Sequence, residues 1–270
     1  MLTRPIPSDG APLPVIGCGT WLGFDIGQRP QERPARAAVL DALFAAGGRV
    51  VDSSPMYGSA EEVVGSLLDT PQRAQPFIAT KVWTSGREAG MAQMERSMQL
   101  LRASRIDLMQ VHNLVDWRTH LETLREWKAQ GRIGYMGITH YTESAYPELE
   151  QVMQAAPWDF VQLNYSMANR RAAQRLLPLA AERGIAVLVN LPFGGGKVLK
   201  SLRMKSLPRW AAEIGCTTWS QVLLKFVLAQ PAVTSVIPGT SQPEHMRLNA
   251  LAGEGVIPGP EFWTPDKLLA

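Results

Sequence analysis

Four side chains of the sequence could together protonate an oxygen atom on which negative charge develops. Asp52, Lys81 and His112 each follow a short apolar run, and Tyr57 lies five residues beyond Asp52. A phenol is a weak acid, with an ordinary pKa of about 10, and a nearby lysine cation favours the phenolate. Asp52 would hold Lys81 in place, and His112 would donate a hydrogen bond to a substrate oxygen. Reduction of a carbonyl group needs this chemistry, provided that a hydride donor is also bound.

These side chains must be positioned by the elements around them, and eight short apolar runs alternate with eight segments of helical spacing. The runs predict strands at residues 14–17, 49–51, 77–80, 108–111, 135–138, 160–163, 185–189 and 234–237. Helices are predicted at residues 35–46, 91–101, 121–130, 144–155, 170–183, 217–229 and 243–252. One further helix is predicted to begin after Ser59, whose side chain would cap its N-terminus.

Strict alternation of strand and helix indicates parallel βαβ units, and eight such units favour a (β/α)8 TIM barrel of the α/β class. We expect one domain over residues 1–270, a plug before Pro14 at the barrel bottom, and a long active-site loop at residues 192–216 after the seventh strand. An open doubly wound sheet is the alternative. The dinucleotide-binding motif GxGxxG of such a sheet would begin at Gly17, but it is incomplete, because Leu22 occupies the position of its last glycine.

Composition excludes several classes of protein. Apolar residues make up 46% of the chain and the formal net charge is +3, with no dense Lys/Arg run that would indicate nucleic-acid binding. Two cysteines make no disulfide framework, and we find no signal peptide and no apolar stretch of membrane-spanning length. We therefore expect a cytoplasmic protein that binds neither nucleic acid nor membrane and holds no metal.

The sequence around the tyrosine, GRVVDSSPMYGSAEE at residues 48–62, resembles the signature of the aldo/keto reductase family around its catalytic Asp and Tyr. Further segments resemble the family's motifs in the same order: residues 16–21, 80–83, 107–112, 137–141, 161–165 and 237–240 with Asn249. The resemblance implies an NAD(P)H-dependent oxidoreductase that reduces an aldehyde or ketone to the alcohol. Hydride would come from nicotinamide C4 and the proton from Tyr57, with Asp52, Lys81 and His112 as the other catalytic residues.

The resemblance also implies where the cofactor and the substrate bind. Cofactor-binding positions are Thr20, Trp21, Thr139, His140, Gln162, Asn190, Leu191, Phe193, Gly194, Gly239, Thr240, Ser241, His245 and Asn249. The substrate pocket is expected to be lined by Trp21, Phe24, Trp83 and Asn113.

The chain departs from the family pattern at some of these positions. His140 replaces the usual Asn that holds the nicotinamide amide, and Asn190 stands where relatives stack a Tyr on the ring. Gly239 and His245 stand where many relatives have a Lys and an Arg that hold the 2′-phosphate. We expect NADPH as the cofactor because the family favours it, with NADH as the alternative.

Other interpretations remain beside this one. Asp52 and Lys81 could form a purely structural ion pair, and His120 is interpreted as a surface helix residue. The chain could be a nucleotide-binding regulatory or accessory protein on the same barrel with little turnover. A metal-dependent hydrolase is disfavoured because the first strand lacks His-x-His. The expected partner is a small-molecule carbonyl substrate, and the expected assembly is a monomer or a small homo-oligomer.

Overall fold

Strands and α-helices alternate along the chain in the computed structural model, which describes residues 1–27, 29–68 and 76–268. The strands are β1 (Thr3–Pro5), β2 (Pro12–Pro14), β3 (Cys18–Gly19), β4 (Val50–Asp52), β5 (Phe77–Val82), β6 (Ile106–His112), β7 (Ile133–His140), β8 (Phe160–Asn164), β9 (Ala186–Asn190) and β10 (Val233–Val236). The α-helices are α1 (Arg33–Ala45), α2 (Ala60–Leu68), α3 (Arg87–Leu101), α4 (Trp117–Ala129), α5 (Tyr146–Ala155), α6 (Leu176–Glu182), α7 (Lys197–Leu202), α8 (Trp219–Leu228) and α9 (Pro243–Ala250).

Strands β3 to β10 form one parallel sheet whose spatial order follows the order along the chain. Bridges from Ile16 to Val236 and from Gly19 to Gly239 join its first and last strands, so the sheet closes. The predicted (β/α)8 barrel is therefore confirmed. The described elements form a single domain, and the extension of that domain over all 270 residues stays a prediction.

The first barrel strand is shorter than its neighbours, and two glycines in this segment lie close to the adjacent strands. A Cβ atom on Gly17 would lie 2.7 Å from the Cβ of Val50, and one on Gly19 would lie 2.9 Å from the carbonyl oxygen of Ile237. Pro14 ends β2, Ile16 makes an isolated bridge to Val236, and the first paired strand of the barrel is Cys18–Gly19, so the strand predicted at residues 14–17 is displaced toward residue 18.

The N-terminal residues plug the barrel at the amino ends of its strands, as expected. β1 and β2 pair as an antiparallel hairpin. Ile6 and Leu13, only 1% and 2% exposed, pack against the inward side chains of the barrel strands, which include Val50, Ala79 and Phe160. Burying these apolar side chains stabilises the closed end of the barrel.

Helix α7 is the one α-helix that the sequence did not predict among the described residues after β9. It is six residues long and lies inside the predicted long loop. Gly194, Gly195 and Gly196 precede it with positive φ angles. A helix this short does not show a helical period in the sequence, which explains why periodicity failed to find it.

Two local expectations are wrong. The hydroxyl of Ser59 does not cap α2: it donates to Asp25 Oδ1 at 2.9 Å and accepts from the amide of Gly27 at 2.8 Å. His120 is fully buried rather than on the surface, and its Nε2 lies 2.7 Å from the carbonyl oxygen of Thr84. In both cases a segment distant in sequence approaches the residue, and a local pattern does not reveal that.

The described helices include none with both the length and the hydropathy needed to cross a bilayer.

Candidate active site

Three neighbouring strands carry predicted catalytic residues at or near their carboxyl ends. Asp52 ends β4, Lys81 is the penultimate residue of β5, and His112 ends β6. Tyr57 lies on the loop after β4, where its amide donates to the carbonyl oxygen of Ser54 at 3.0 Å. Parallel strands in a barrel bring their carboxyl ends to the same rim, so four residues far apart in sequence converge there.

Asp52 and Lys81 form a buried ion pair with every charge satisfied. The ammonium of Lys81, which is 0% exposed, lies 2.7 Å from Asp52 Oδ2 and donates to the carbonyl oxygen of Ser53 at 2.6 Å. Asp52 Oδ1 accepts from the side-chain amides of Gln110 at 3.0 Å and Gln162 at 2.9 Å. Burial alone would lower the pKa of Lys81, but Asp52 and Tyr57 outweigh it, so this pKa lies above its usual value. Lys81 therefore stays a cation.

Tyr57 lies against this cation, with Lys81 Nζ 5.1 Å from the centroid of its ring. Lys81 lowers the pKa of the phenol as predicted, but burial raises it more strongly and Asp52 adds to the increase. The net pKa lies above its ordinary value, because burial outweighs the effect of Lys81 that the sequence predicted. The phenol is protonated at neutral pH, and Lys81 offsets part of the cost of forming the phenolate.

His112 is neutral at physiological pH. Burial, Lys81 and His140 together lower its pKa to about 3. Its ring meets the ring of Tyr57 edge-on, with centroids 6.1 Å apart, and the Trp83 ring lies 6.4 Å away. A neutral imidazole has one donor and one acceptor nitrogen, so it can donate a single hydrogen bond to a substrate oxygen.

Several predicted cofactor residues lie beside this cluster on β7, β8 and β9. Thr139 pairs in register with both His112 and Gln162. His140 is half-buried, its ring stacks on Tyr141, and burial lowers its pKa. The Nδ2 of Asn190 donates to the Oε1 of Gln162 at 3.3 Å, which ties these two predicted residues into the network around Asp52.

Two amide groups at this rim suit a ligand that donates hydrogen bonds. Asn164 and Asn190 are paired in register, and the Oδ1 atom of each is buried with no partner among the described residues. Unsatisfied buried acceptors are costly, and a bound carboxamide such as that of nicotinamide carries the missing N–H donors. These residues fit the implied cofactor. Asn164 lies in the segment at residues 161–165 that resembles a nicotinamide-contacting strand, but it was not among the predicted cofactor-binding residues, because its unpaired oxygen is apparent only in the folded chain.

Thr20 links the first barrel strand to the catalytic loop. Its buried hydroxyl lies 3.1 Å from the carbonyl oxygen of Asp52 and 2.9 Å from the hydroxyl of Ser53. This contact positions the segment before Tyr57. Thr20 therefore contacts the loop that carries Tyr57.

The remaining predicted cofactor residues lie on the loops after β9 and β10 and on α9. The amide of Gly194 closes a turn onto the carbonyl oxygen of Leu191, and Phe193 is mostly buried in the core. Gly239, Thr240 and Ser241 follow β10, and His245 and Asn249 lie on α9.

Arg36 supports this part of the rim and was not predicted. Its guanidinium donates to the carbonyl oxygens of Gly23 at 2.5 Å and Ser241 at 3.4 Å, joining the loops after β3 and β10. Arg247 on α9 does not join two loops in this way: its guanidinium donates to both carboxylate oxygens of Glu244 on the same helix, at 2.8 and 2.6 Å.

Of the residues predicted to line the substrate pocket, the two tryptophans are exposed and Phe24 is not. Trp21 and Trp83 are 52% and 42% exposed, as residues on an open rim should be. Phe24 is 0% exposed in the core, so it does not line the opening. Leu22 and Met56 are also exposed, at 70% and 40%, and the sequence did not single them out, because isolated apolar residues on loops carry no pattern.

Asn113 directly follows His112 at the carboxyl end of β6. It adopts a left-handed backbone with φ of 52°, a conformation that Asn tolerates better than most residues. Its Oδ1 is another buried acceptor without a partner in the described part of the chain.

Comparisons with known proteins agree with this geometry. The family model described as "Aldo/keto reductase family" matches residues 15–268. An aldo-keto reductase from Mycobacterium sp. (strain JLS) is 28% identical over 250 residues, covering 90% of this chain and 84% of that protein. Pyridoxine 4-dehydrogenase of Escherichia coli (strain K12) is 26% identical over 245 residues, covering 83% of this chain and 82% of that enzyme.

A solved structure is similar over almost the whole chain. The aldo-keto reductase from Klebsiella pneumoniae in complex with NADPH has a TM-score of 0.81 and 26% sequence identity, covering 97% of this chain and 93% of the other. The chain thus belongs to the aldo/keto reductase family of oxidoreductases.

Proposed function

We propose that the protein is an NAD(P)H-dependent reductase that converts a small aldehyde or ketone to its alcohol. The observation that carries this proposal is the buried Asp52–Lys81 pair against the ring of Tyr57, with a neutral His112 at the ring's edge. When bound, the reduced nicotinamide would supply a hydride to the carbonyl carbon. The chain's own residues then have to stabilise and protonate the oxygen.

Tyr57 is the proposed proton donor. Its raised pKa keeps the phenol protonated at neutral pH, so the proton is present when negative charge develops on the substrate oxygen. The Lys81 cation favours the phenolate that remains after transfer, and Asp52 holds Lys81 on that side of the ring. His112 would donate a second hydrogen bond to the same oxygen.

NADPH is the proposed cofactor, with NADH as the alternative. Support comes from the Klebsiella relative, which is in complex with NADPH, and from the unpaired amide oxygens of Asn164 and Asn190 at the rim. Thr240 and Ser241 supply hydroxyl groups where many relatives hold the 2′-phosphate. Titration of both dinucleotides by fluorescence quenching would rank their affinities.

Apolar and aromatic carbonyl compounds are the proposed substrates. Exposed apolar surface lies on the loops that follow β3, β4 and β5, at Trp21, Leu22, Met56 and Trp83, and the Trp83 ring lies 6.4 Å from that of His112. Such surface favours substrates that lose apolar area to water on binding. We further propose a cytoplasmic monomer or small homo-oligomer.

Replacing the phenol tests the proposed function. In Tyr57→Phe we expect kcat/KM for aldehyde reduction to fall about 10²- to 10⁴-fold, which is the usual contribution of a general acid. The dissociation constant for NADPH should stay unchanged. The measurement is NADPH consumption with aromatic and short aliphatic aldehydes.

Tyr135→Phe is the matched control. This substitution also removes one phenolic oxygen, but at the opposite end of the barrel, where the hydroxyl of Tyr135 donates to Asp9 at 2.5 Å. Its kcat/KM should equal that of the unmodified chain. Equal turnover in Tyr57→Phe would exclude Tyr57 as the proton donor, and tight NADPH binding without turnover on any carbonyl would favour a regulatory protein.

A further inference from the structure

Ser54 connects the two residues proposed to meet the substrate oxygen. It is fully buried, and its hydroxyl oxygen lies 3.2 Å from His112 Nδ1. Its carbonyl oxygen accepts from the amide of Tyr57 at 3.0 Å. One residue on the β4 loop therefore contacts both the proton donor and the histidine.

The direction of the Ser54–His112 hydrogen bond follows from the burial of the hydroxyl. In the part of the chain that the structure describes, Nδ1 is the partner found for this hydroxyl. If Nδ1 carried the proton and donated, the hydroxyl hydrogen would be buried without an acceptor, and an unsatisfied buried donor is destabilising. The hydroxyl therefore donates to Nδ1, and the proton of the neutral ring is on Nε2.

We propose that Ser54 is a positioning residue that fixes the tautomer of His112, so that Nε2 presents an N–H to the carbonyl oxygen of the substrate. The proposal rests on the function given above. With the opposite tautomer, Nε2 would present a lone pair to that oxygen and could not donate. Ser54 thus acts through His112 and does not touch the reacting atoms.

Nitrogen NMR measures the tautomer without any turnover. In the ¹⁵N-labelled protein, long-range ¹H–¹⁵N correlations should show a protonated Nε2 and an unprotonated Nδ1 for His112, assigned by loss of its signals in His112→Gln. In Ser54→Ala, which removes one atom, we expect the Nδ1-protonated form to appear. A ring with Nδ1 protonated in the unmodified chain would overturn the proposal.

Ser53→Ala is the matched control for this measurement. Ser53 is also buried, but its hydroxyl lies 2.9 Å from the hydroxyl of Thr20, on the side of the first barrel strand. The tautomer of His112 should be the same in Ser53→Ala as in the unmodified chain. A change of the same size in both variants would show a general loosening of the loop and would contradict the specific role of Ser54.

Kinetics give the second measurement and separate the two proposals. In Ser54→Ala we expect kcat/KM to fall about tenfold, the equivalent of one lost hydrogen bond, with the NADPH dissociation constant unchanged. An unchanged tautomer in Ser54→Ala would overturn the role of Ser54 and leave the reductase proposal standing. Absence of turnover in the unmodified chain, with the tautomer as expected, would overturn the reductase proposal alone.

Discussion

At the scale of single residues, the site shows how burial changes the chemistry of ordinary side chains. Lys81 has its pKa raised although burial opposes this, because Asp52 lies 2.7 Å away. Tyr57 has its pKa raised because burial outweighs the nearby cation. His112 has its pKa lowered because burial and Lys81 both disfavour its charged form. Each group is thus held in one protonation state around neutral pH.

These shifts predict a flat pH profile for reduction. The pKa of His112 is about 3 and that of Tyr57 lies above its ordinary value, so neither group changes state near neutrality. We expect kcat/KM for reduction to be constant from about pH 5 to pH 9 and to fall only at higher pH, where the phenol loses its proton. Initial rates across this range test the prediction. An inflection near the ordinary histidine pKa of about 6.5 that disappears in His112→Gln would show that His112 titrates there.

At the scale of elements, helix α2 joins the catalytic loop to the outer layer of the barrel. Glu61 on α2 is buried and accepts hydrogen bonds from Thr80 on β5 at 2.6 Å and from Ser97 on α3 at 3.1 Å. Burial raises the pKa of this carboxyl group, and the two hydroxyl groups partly offset that. Thr80 precedes Lys81, so this packing also supports the strand that carries the cation.

The crossing of α2 and α3 depends on Gly65. A Cβ atom there would lie 2.0 Å from the carbonyl oxygen of Leu100, which is backbone and cannot move aside without moving α3. We expect Gly65→Ala to lower the free energy of unfolding by about 1–3 kcal/mol, the usual cost of overpacking. Urea denaturation followed by circular dichroism measures it.

The control for that prediction is Gln99→Ala on the exposed face of α3. Its free energy of unfolding should stay within about 0.5 kcal/mol of the unmodified chain. If Gly65→Ala were equally neutral, the two helices would have room to separate, and the close crossing would not contribute to stability.

At the scale of the whole molecule, the residues that close the barrel and the residues of the candidate site lie at opposite ends of the strands. The hairpin plug closes the amino ends of the strands, and the candidate site occupies the carboxyl ends. Changes at the plug should therefore alter stability with little effect on turnover.

Ile6→Ala tests this separation. Ile6 is 1% exposed under the barrel, so truncation leaves a cavity and should lower the free energy of unfolding by about 2–5 kcal/mol. We expect kcat/KM below the unfolding transition to be unchanged. Leu2→Ala, at a position 44% exposed in the same segment, is the control and should cost much less. A loss of kcat/KM in folded Ile6→Ala would show that the plug and the site are coupled.

Much of this architecture is encoded locally in the sequence. Alternating apolar runs and helical segments predicted the barrel, because each strand and helix follows from a local pattern that repeats along the chain. The barrel topology then placed Asp52, Lys81 and His112 at one rim, since the carboxyl ends of parallel strands meet there.

Only the tertiary structure decided the environment of each side chain. The burial of Phe24 and His120, the contact of Ser59 with Asp25 and the raised pKa of Tyr57 all depend on segments far away in sequence. Burial and electrostatic shifts sum over every neighbour in space, whereas a motif reports only neighbours along the chain. The amino-acid order therefore determined which groups meet, and the packing determined their exposure and their protonation state.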